Sequence, residues 1–362
     1  MKAAAYLRNR SDLAAHDVAS HLGLAERIAA LRNLPFLGEH ADAAALGPLY
    51  LVPADTIPTL DTARLLNIAG ERDFFGGVVP HPFVATKAIT QPLVERDAAA
   101  PFGWSHAFHT HVADAVLAGF TAFTLPDATQ AGRRILEGRG PVRVKRVRGI
   151  GGRGQIVAAD AGALDAALAE IPDSELASAG LVIEENLTDV TTISVGRVRV
   201  GDLVAAYWGR QRLTPDNRGD LVYGGSTLHV ARGDLSALLG IDPPEKIGVA
   251  IEQARRYDSV IGASYPGAFA SRRNYDVAQG FDGRGSWKSG VLEQSWRMGG
   301  ATGAEIAALE AFRADPGLCS ITASTVEVYG SDASPPPGAT IYFHGVDPSL
   351  GPMLKYSVLG EP

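Results

Sequence analysis

Cysteine is nearly absent from this chain. Cys319 stands alone in 362 residues, which excludes an intramolecular disulfide framework and any paired-cysteine metal site. A reducing, cytoplasmic setting is the simpler expectation. No run of 18 or more apolar residues occurs, so neither a transmembrane helix nor a membrane partner is expected. Arg8, Arg10 and Asp12 break the start of the chain before a secretory core can form. Positive charge is in deficit too. The 33 Lys and Arg against 40 Asp and Glu leave a formal charge of -7 and a pI near 5.7, which argues against a nucleic-acid partner. No repeat of fixed period is visible. What the chain does have is apolar material, 46% of its residues, enough for a large core divided over two or three domains or subdomains.

Helical and strand-like segments alternate through the first hundred residues. Leu13, Val18, Leu22, Leu24, Ile28 and Leu31 recur at helical intervals, and the strand-like Leu49 to Val52 follows Gly47-Pro48. A helix is expected from His106 to Leu117, a strand from Thr121 to Leu125, and a further helix from Pro126-Asp127 through Ile135, with proline early and an acid in its first turn. After Ser331, Pro335-Pro336-Pro337 reads as a stiff connector before the strand-like Thr340 to Phe343.

The most informative stretch is residues 141–154, PVRVKRVRGIGGRG. It matches GxGxxG from Gly149 to Gly154 through Gly151 and Gly152, but a dinucleotide loop must lead at once into a helix that holds the pyrophosphate. Here Gln155 to Ala158 read as another strand, and helical spacing starts only after Asp160. The glycines therefore belong to a β-hairpin tip whose N–H groups can meet phosphates, with Lys145 on the first strand to neutralise them. The plainer alternative makes Arg143 and Lys145 the solvent-facing charges of an edge strand.

Three further segments carry chemistry. Leu181 to Ile183 form a buried strand that ends in Glu184 and Glu185, acids able to accept from an adenine amino group or simply to be solvated. Arg272 to Val277 and Gly290 to Gly300 read as two strands around a turn at Asp282-Gly283. Alternation groups Val291, Glu293, Ser295 and Arg297 on one face. Asp276 and Glu293 would suit magnesium, a hard cation that takes carboxylate, phosphate and water oxygens. Ser295 adds a neutral oxygen and Arg297 a cation for a transferred phosphoryl group. Structural alternatives pair Asp276 with Arg272 or Arg273, and Arg297 with Glu293. Residues 208–220 read as a long polar loop in which Arg210 and Arg212 either bind an anionic substrate or only face solvent. Gly224-Gly225 is a tight turn or a close approach of backbone to ligand. Gly299-Gly300 opens a helix from Ala304 to Phe312, leaving N–H groups near the acids.

This order of elements resembles the ATP-grasp superfamily over most of the chain, and within it a group of uncharacterised bacterial proteins with no agreed activity. The resemblance implies an α/β protein of α+β subdomains. Residues 1–100 would form a Rossmann-like pre-ATP-grasp domain, 101–186 the small lid subdomain with its lead helices, 187–330 the C-terminal subdomain with the metal and phosphate site, and 331–362 a tail. It implies ATP and Mg2+ as cofactors, and small-molecule carboxylate and amine substrates joined through an acyl phosphate. By position, Lys145 would contact the α and β phosphates, Glu184, Glu185 and Leu187 would line the adenine pocket, Asp276 and Glu293 would hold metal, and Arg297 would face the γ-phosphate. Three positions depart from the pattern. Ser295 replaces an asparagine metal ligand, and Thr191 or Thr192 replaces the acid that binds ribose. The second phosphate lysine has no obvious counterpart, with His109, His111 or Lys87 as substitutes. A small-molecule kinase and a catalytically silent nucleotide-binding protein are the other two readings of the same fold. A homodimer is common in the group it resembles, though no residue here requires one.

Overall fold

The computed structural model describes residues 1–7, 13–40, 48–147, 154–332 and 334–362. It opens with β1 (Lys2–Tyr6), α1 (Ala15–Leu31), β2 (Phe36–Glu39) and β3 (Leu49–Pro53), the strands forming a parallel sheet in the order β2-β1-β3. The β1 alanines Ala3, Ala4 and Ala5 are fully buried, and α1 turns Ala25 and Ile28 into the same core. A short helix, α2 (Leu60–Leu65), starts at Thr59, whose hydroxyl accepts from the Thr62 N–H. β4 (Gly77–Val78) then leaves this unit to pair with a strand much later in the chain.

The next unit begins with α3 (His106–Val112), which stops short of the expected Leu117. It continues through β5 (Gly119–Ala122), α4 (Leu125–Arg139), β6 (Val142–Arg146), β7 (Gln155–Ala158), α5 (Ala161–Ala169), α6 (Asp173–Ala179) and β8 (Leu181–Glu185). Its strands make an antiparallel sheet in the order β5-β8-β6-β7. Alternation along β6 sends Val142 and Val144 into a core with Ile135, Leu164 and Ile183, and turns Arg143 and Lys145 to the other face. Gly151, Gly152 and Arg153 lie outside the described residues. Gly154 is described; it sits in the left-handed region at φ 71°, and its carbonyl accepts the Arg146 N–H to close the base of the hairpin.

The rest is built on one large sheet. β9 (Thr188–Val200), β10 (Leu203–Pro215), β11 (Leu221–Arg232), α7 (Glu245–Ser264), β12 (Phe269–Ala270), β13 (Arg272–Phe281), β14 (Trp287–Ser295), α8 (Thr302–Ala314), β15 (Ser320–Tyr329), β16 (Thr340–Asp347) and β17 (Gly351–Leu359) follow in turn. Eight of these strands pair antiparallel in the order β14-β13-β9-β10-β11-β15-β17-β16, and β12 pairs with β4. Helix α7 covers one face through Ile247, Ile251 and Tyr257. Helix α8 is wedged between the sheet and the N-terminal unit through Ala304, Ile306 and Leu309. No helix among the described residues is long and apolar enough to cross a membrane.

Three expectations change here. The segment after Ser331 is not a tail, because β16 and β17 complete the large sheet beside β15. The polar stretch 208–220 is mostly strand, since β10 runs to Pro215 and pairs with β11 up to Leu221. Its arginines disguised it, being carried on strand faces rather than on a loop. The turn at its tip is held by Asn217, whose amide donates to the Leu350 and Pro352 carbonyls. Gly224-Gly225 is likewise no turn: it lies inside β11, where a Cβ on Gly225 would sit 2.1 Å from the Thr325 carbonyl oxygen of β15. The close approach is backbone to backbone.

Candidate active site

Between the four-stranded sheet and the large sheet lies a cleft of about 660 Å³. Its roof is the outer face of β6, with Lys145 and Arg143; at its back are Glu184, Glu185 and Leu187, where the chain passes from β8 into β9. Its floor is Thr192 on β9, Asp276 on β13, and Glu293 and Ser295 on β14, with Arg297 just beyond. Nine of the residues singled out in the sequence thus share one cavity, although they come from four separate parts of the chain.

The floor owes its shape to a bulge. Asp276 is registered opposite Glu293, but Val277 is opposite Val291, so Leu292 is the extra residue on β14. The even alternation expected from Val291 to Arg297 breaks there. Val291 is fully buried in the α7 core, while Leu292 and Glu293 both line the cleft. The chain segment that leads into the lid crosses β14 at the same place. A Cβ on Gly290 would lie 2.4 Å from the Leu117 nitrogen, so glycine is what lets the Ala115 carbonyl take the Val291 N–H at 2.8 Å.

Charge is distributed unevenly round the cavity. At the back, Lys145 and Glu184 form a buried ion pair, and the second Glu184 oxygen has no partner among the described residues. Glu185 accepts the Ala118 N–H at 3.1 Å and faces the Arg139 guanidinium at 3.5 Å, which fastens the hinge to both the lead segment and α4. On the roof, the Arg143 guanidinium is fixed by Gln155 Oε1 at 3.0 Å and Asn186 Oδ1 at 2.6 Å. On the floor, Asp276 accepts from Ser194 Oγ at 2.8 Å and from Asn274 Nδ2 at 3.1 Å, both neutral donors. Burial, and then the negative charge of Glu293, push its carboxyl above the ordinary range. Glu293 itself meets Lys87 Nζ at 2.9 Å.

The structural alternatives for these residues do not hold. Arg272 pairs with Glu305 and Arg273 with Asp258 and Glu71, so neither arginine is the Asp276 partner. Arg297 lies 3.8 Å from Asp55 and donates to the Met298 carbonyl, and Glu293 is paired with Lys87 instead. Of the three substitutes for a second phosphate cation, Lys87 is the one that reaches the floor acids. His109 is buried against Trp104, with its pKa lowered to about 4 by burial and then by His106, so it carries no charge at neutral pH. The His111 side chain is exposed on α3.

Arg210 and Arg212 must be corrected. Gln211 and Leu213 line the cleft, so their neighbours Arg210 and Arg212 project from the other face of β10. Arg210 borders a separate recess with Lys246 and Gln279, and Arg212 donates to the Gly224 carbonyl at 3.2 Å. The N–H groups at the start of α8 are in part already used. That of Gly299 donates to Thr302 Oγ1 and that of Ala304 to Thr325 Oγ1. Arg143, Ser194 and Asn274 are cleft residues that the sequence did not point to. Strand pairing is the signal that finds the last two, since Asp276 is registered with Ser194 and lies two residues from Asn274 on one face.

A family model matches residues 5–357, and its description reads "Protein of unknown function (DUF3182)". The chain belongs to that family. No curated protein matches the DUF3182 sequence. Solved structures do match its fold. N5-carboxyaminoimidazole synthetase from Staphylococcus aureus, complexed with ADP, is 11% identical with a TM-score of 0.51, over 100% of this chain and 95% of that one. Biotin carboxylase from Campylobacter jejuni, in a β-γ-ATP complex, is 11% identical with a TM-score of 0.51, over 99% of this chain and 87% of that one. The biotin carboxylase domain of 2-oxoglutarate carboxylase from Hydrogenobacter thermophilus, in complex with MgADP, ADP and bicarbonate, is 12% identical with a TM-score of 0.51, over 99% and 86%. The DUF3182 chain therefore has the ATP-grasp fold.

Whether the DUF3182 floor suits a metal is a question of donor chemistry. Asp276, Glu293 and Ser295 offer only hard oxygens, the type magnesium takes, and Asp276 is held by neutral donors beside a second carboxylate. A cation relieves that repulsion. Among the described residues no group of three or more His, Cys, Asp or Glu side chains could hold a metal alone. The fit is to an ion that arrives with oxygens of its own, as a nucleotide-bound magnesium does.

Proposed function

We propose that this protein is an ATP- and magnesium-dependent ligase that joins a small-molecule carboxylate to an amine. One observation carries the reading: a lysine on the roof and two carboxylates on the floor face each other across a single cleft, the arrangement a magnesium triphosphate requires. The solved structures of similar fold that hold ADP or MgADP support it.

In this account the adenine enters at the hinge, where Leu187 lines the wall and Glu184 has an oxygen left to accept from the exocyclic amine. Arg143 on the roof and Leu292 and Ala278 on the floor line the same cleft. The planar Arg143 cation, already fixed by Gln155 and Asn186, gives the base a face to stack on. Thr192 lies near the ribose. Lys145 neutralises the α and β phosphates, and residues 101–186 close as a lid over 187–330.

Asp276, Glu293 and Ser295 hold magnesium, which when bound offsets phosphate charge. Lys87 serves as the second phosphate cation and Arg297 steadies the migrating phosphoryl group. A carboxylate oxygen attacks the γ-phosphorus, the bond from that phosphorus to the bridging oxygen breaks, and ADP leaves with its electrons. The amine nitrogen then attacks the acyl carbon, phosphate departs, and the nitrogen releases its extra proton to solvent. A closed lid keeps out water that would hydrolyse the acyl phosphate.

The test is ADP release measured with pooled carboxylic acids and amines. Release that needs both pools, with an amide in the products, is expected. Release with one pool alone and phosphate retained on a stable product would make the protein a kinase. No release from any combination, in folded protein that binds nucleotide, would overturn turnover itself.

A further inference from the structure

The cleft does not end at the floor acids. Its lining also takes in Asp17 on α1, Glu327 on β15 and Lys355 on β17, which bound a second chamber of the same cavity. Three charged side chains meet there. Glu327 on β15 and Lys355 on β17 are registered opposite each other, and Asp17 is in the first turn of α1. Lys355 Nζ is 2.9 Å from Glu327 Oε1, 3.2 Å from Asp17 Oδ1 and 2.9 Å from His16 Nδ1.

These contacts decide what the chamber can recognise. An ammonium has three hydrogens, and in the His16 tautomer that carries its proton on Nε2 all three of the Lys355 hydrogens have protein acceptors, Glu327, Asp17 and His16. Lys355 therefore compensates charge but has no donor left to offer a ligand. The carboxylates are not exhausted. Among the described residues, Asp17 Oδ2 and Glu327 Oε2 make no hydrogen bond, and both residues line the cavity. Two carboxylates against one ammonium leave one negative charge facing the chamber. Behind it, Asp347 accepts the His16 backbone N–H at 3.0 Å and adds a further negative charge. Burial, and to a smaller extent the neighbouring Asp17, raise the Glu327 carboxyl above its ordinary range, while Lys355 works against that rise. The hydroxyls of Tyr223 and Ser226, bonded to each other at 2.7 Å, line the same chamber.

We propose that this chamber is the acceptor site and that it takes its substrate as an organic ammonium ion, held by Asp17 and Glu327; the ammonium passes one proton to a carboxylate, which frees the nitrogen lone pair, before that nitrogen attacks the acyl carbon. What the amine is used for rests on the ligase reading; its binding does not. The carboxylate substrate is left to the Arg297 side of the same cavity, so the two substrates are sorted by charge before either reacts.

The experiment is a calorimetric titration of the full chain without nucleotide, using 1,4-diaminobutane and glutarate as probes, in the wild type, Asp17→Asn and Glu327→Gln. Magnesium and a non-hydrolysable ATP analogue are titrated separately. Diaminobutane should bind the wild type and weaken at least about ten-fold in each variant, about 1.4 kcal/mol, while analogue affinity is unchanged. Asp17 is half-exposed, so its variant is expected to fold whatever happens to Glu327. A third variant reads the sign: Lys355→Met should bind diaminobutane more tightly, because it removes the cation that pairs with both carboxylates. No diaminobutane binding to the wild type, affinity in both carboxylate variants equal to that of the wild type, or glutarate binding that Lys355→Met abolishes would each overturn the assignment. Failure of the ATP analogue to bind would sink the ligase reading and leave the amine result to stand or fall separately.

Discussion

β13 carries two carboxylate systems on one face, one packed under α8 and one open to the cleft, and they are built in opposite ways. Under α8, Glu305 is completely buried, yet it is met by the Arg272 guanidinium through three contacts of 2.8–3.1 Å and by the Tyr207 hydroxyl at 2.6 Å. Arg272 spends its remaining donors on the Ser295 and Arg297 carbonyls, at 3.2 and 2.5 Å. On the cleft side, Asp276 has only the neutral Ser194 and Asn274, and faces Glu293. Asn274 joins the two systems, since its Oδ1 lies 2.9 Å from the Tyr207 hydroxyl. One system is internally neutral and holds the end of β14 in place. The other is left short of positive charge, with Lys87 as the cation that the structure brings to its acids. The difference separates support from function better than burial alone does.

Mutations should respect that divide. The largest effect is expected from Arg272→Met, which strands Glu305 without a counter-ion in a dry site. Denaturant unfolding should show a loss of about 3–5 kcal/mol. A loss under 1 kcal/mol would mean that the pair under α8 is not the support inferred here. Next, Lys145→Ala should weaken binding of a non-hydrolysable ATP analogue by about 100-fold, roughly 2.7 kcal/mol. The same variant leaves Glu184 unpaired in the hinge, so Lys145→Met is the companion that keeps the stem packed, and both should lose affinity alike. Arg143→Ala should cost about ten-fold, near 1.4 kcal/mol, and the loss should be the same for ATP and GTP analogues if the guanidinium stacks and reads no ring edge.

The smallest effect has the opposite sign. Asn at position 276 keeps an oxygen for Ser194 and Asn274 and removes the repulsion with Glu293, so Asp276→Asn should leave the melting temperature of the ligand-free protein unchanged or slightly higher. The pH dependence follows the raised carboxyl. A carboxyl whose folded pKa lies above its unfolded one binds protons better in the folded state, so its unfavourable contribution to stability is relieved as pH falls through that folded pKa. Magnesium affinity runs the other way and declines over the same window, which begins above the ordinary carboxylate range. Asp276→Asn should abolish both trends. Melting curves and magnesium titrations between about pH 4 and 8 would show whether the two move in opposite directions.

Much of the cleft was legible before any coordinates. Lys145 stood out because it follows Val142 and Val144 at strand spacing and precedes a glycine turn. Glu293 did so because a carboxylate among Leu292 and Trp296 needs a reason to be there. Other features depend on pairing between distant strands. The extra residue at Leu292 is invisible until β14 is laid against β13, and the parity of β10 decides that Gln211, not Arg210 or Arg212, enters the cavity. Lys87 lies more than two hundred positions from Glu293, in a segment with no motif, and only the docking of the lead segment against β14 unites them. The start of β16 was legible at Thr340 to Phe343, but its place in the large sheet, with β17 beside it, was hidden because the proline run before it resembles the start of a tail. The second chamber joins Asp17 to Lys355, almost the whole chain apart, and no local pattern marks either end.

The most direct test of the floor acids as a site left open for a nucleotide-bound cation is calorimetric titration with a non-hydrolysable ATP analogue, with and without magnesium, in the wild type and Glu293→Gln. The account predicts binding that strengthens at least about ten-fold with magnesium in the wild type and loses that gain in the variant. Equal affinity with and without magnesium, or an undiminished magnesium effect in Glu293→Gln, would contradict it.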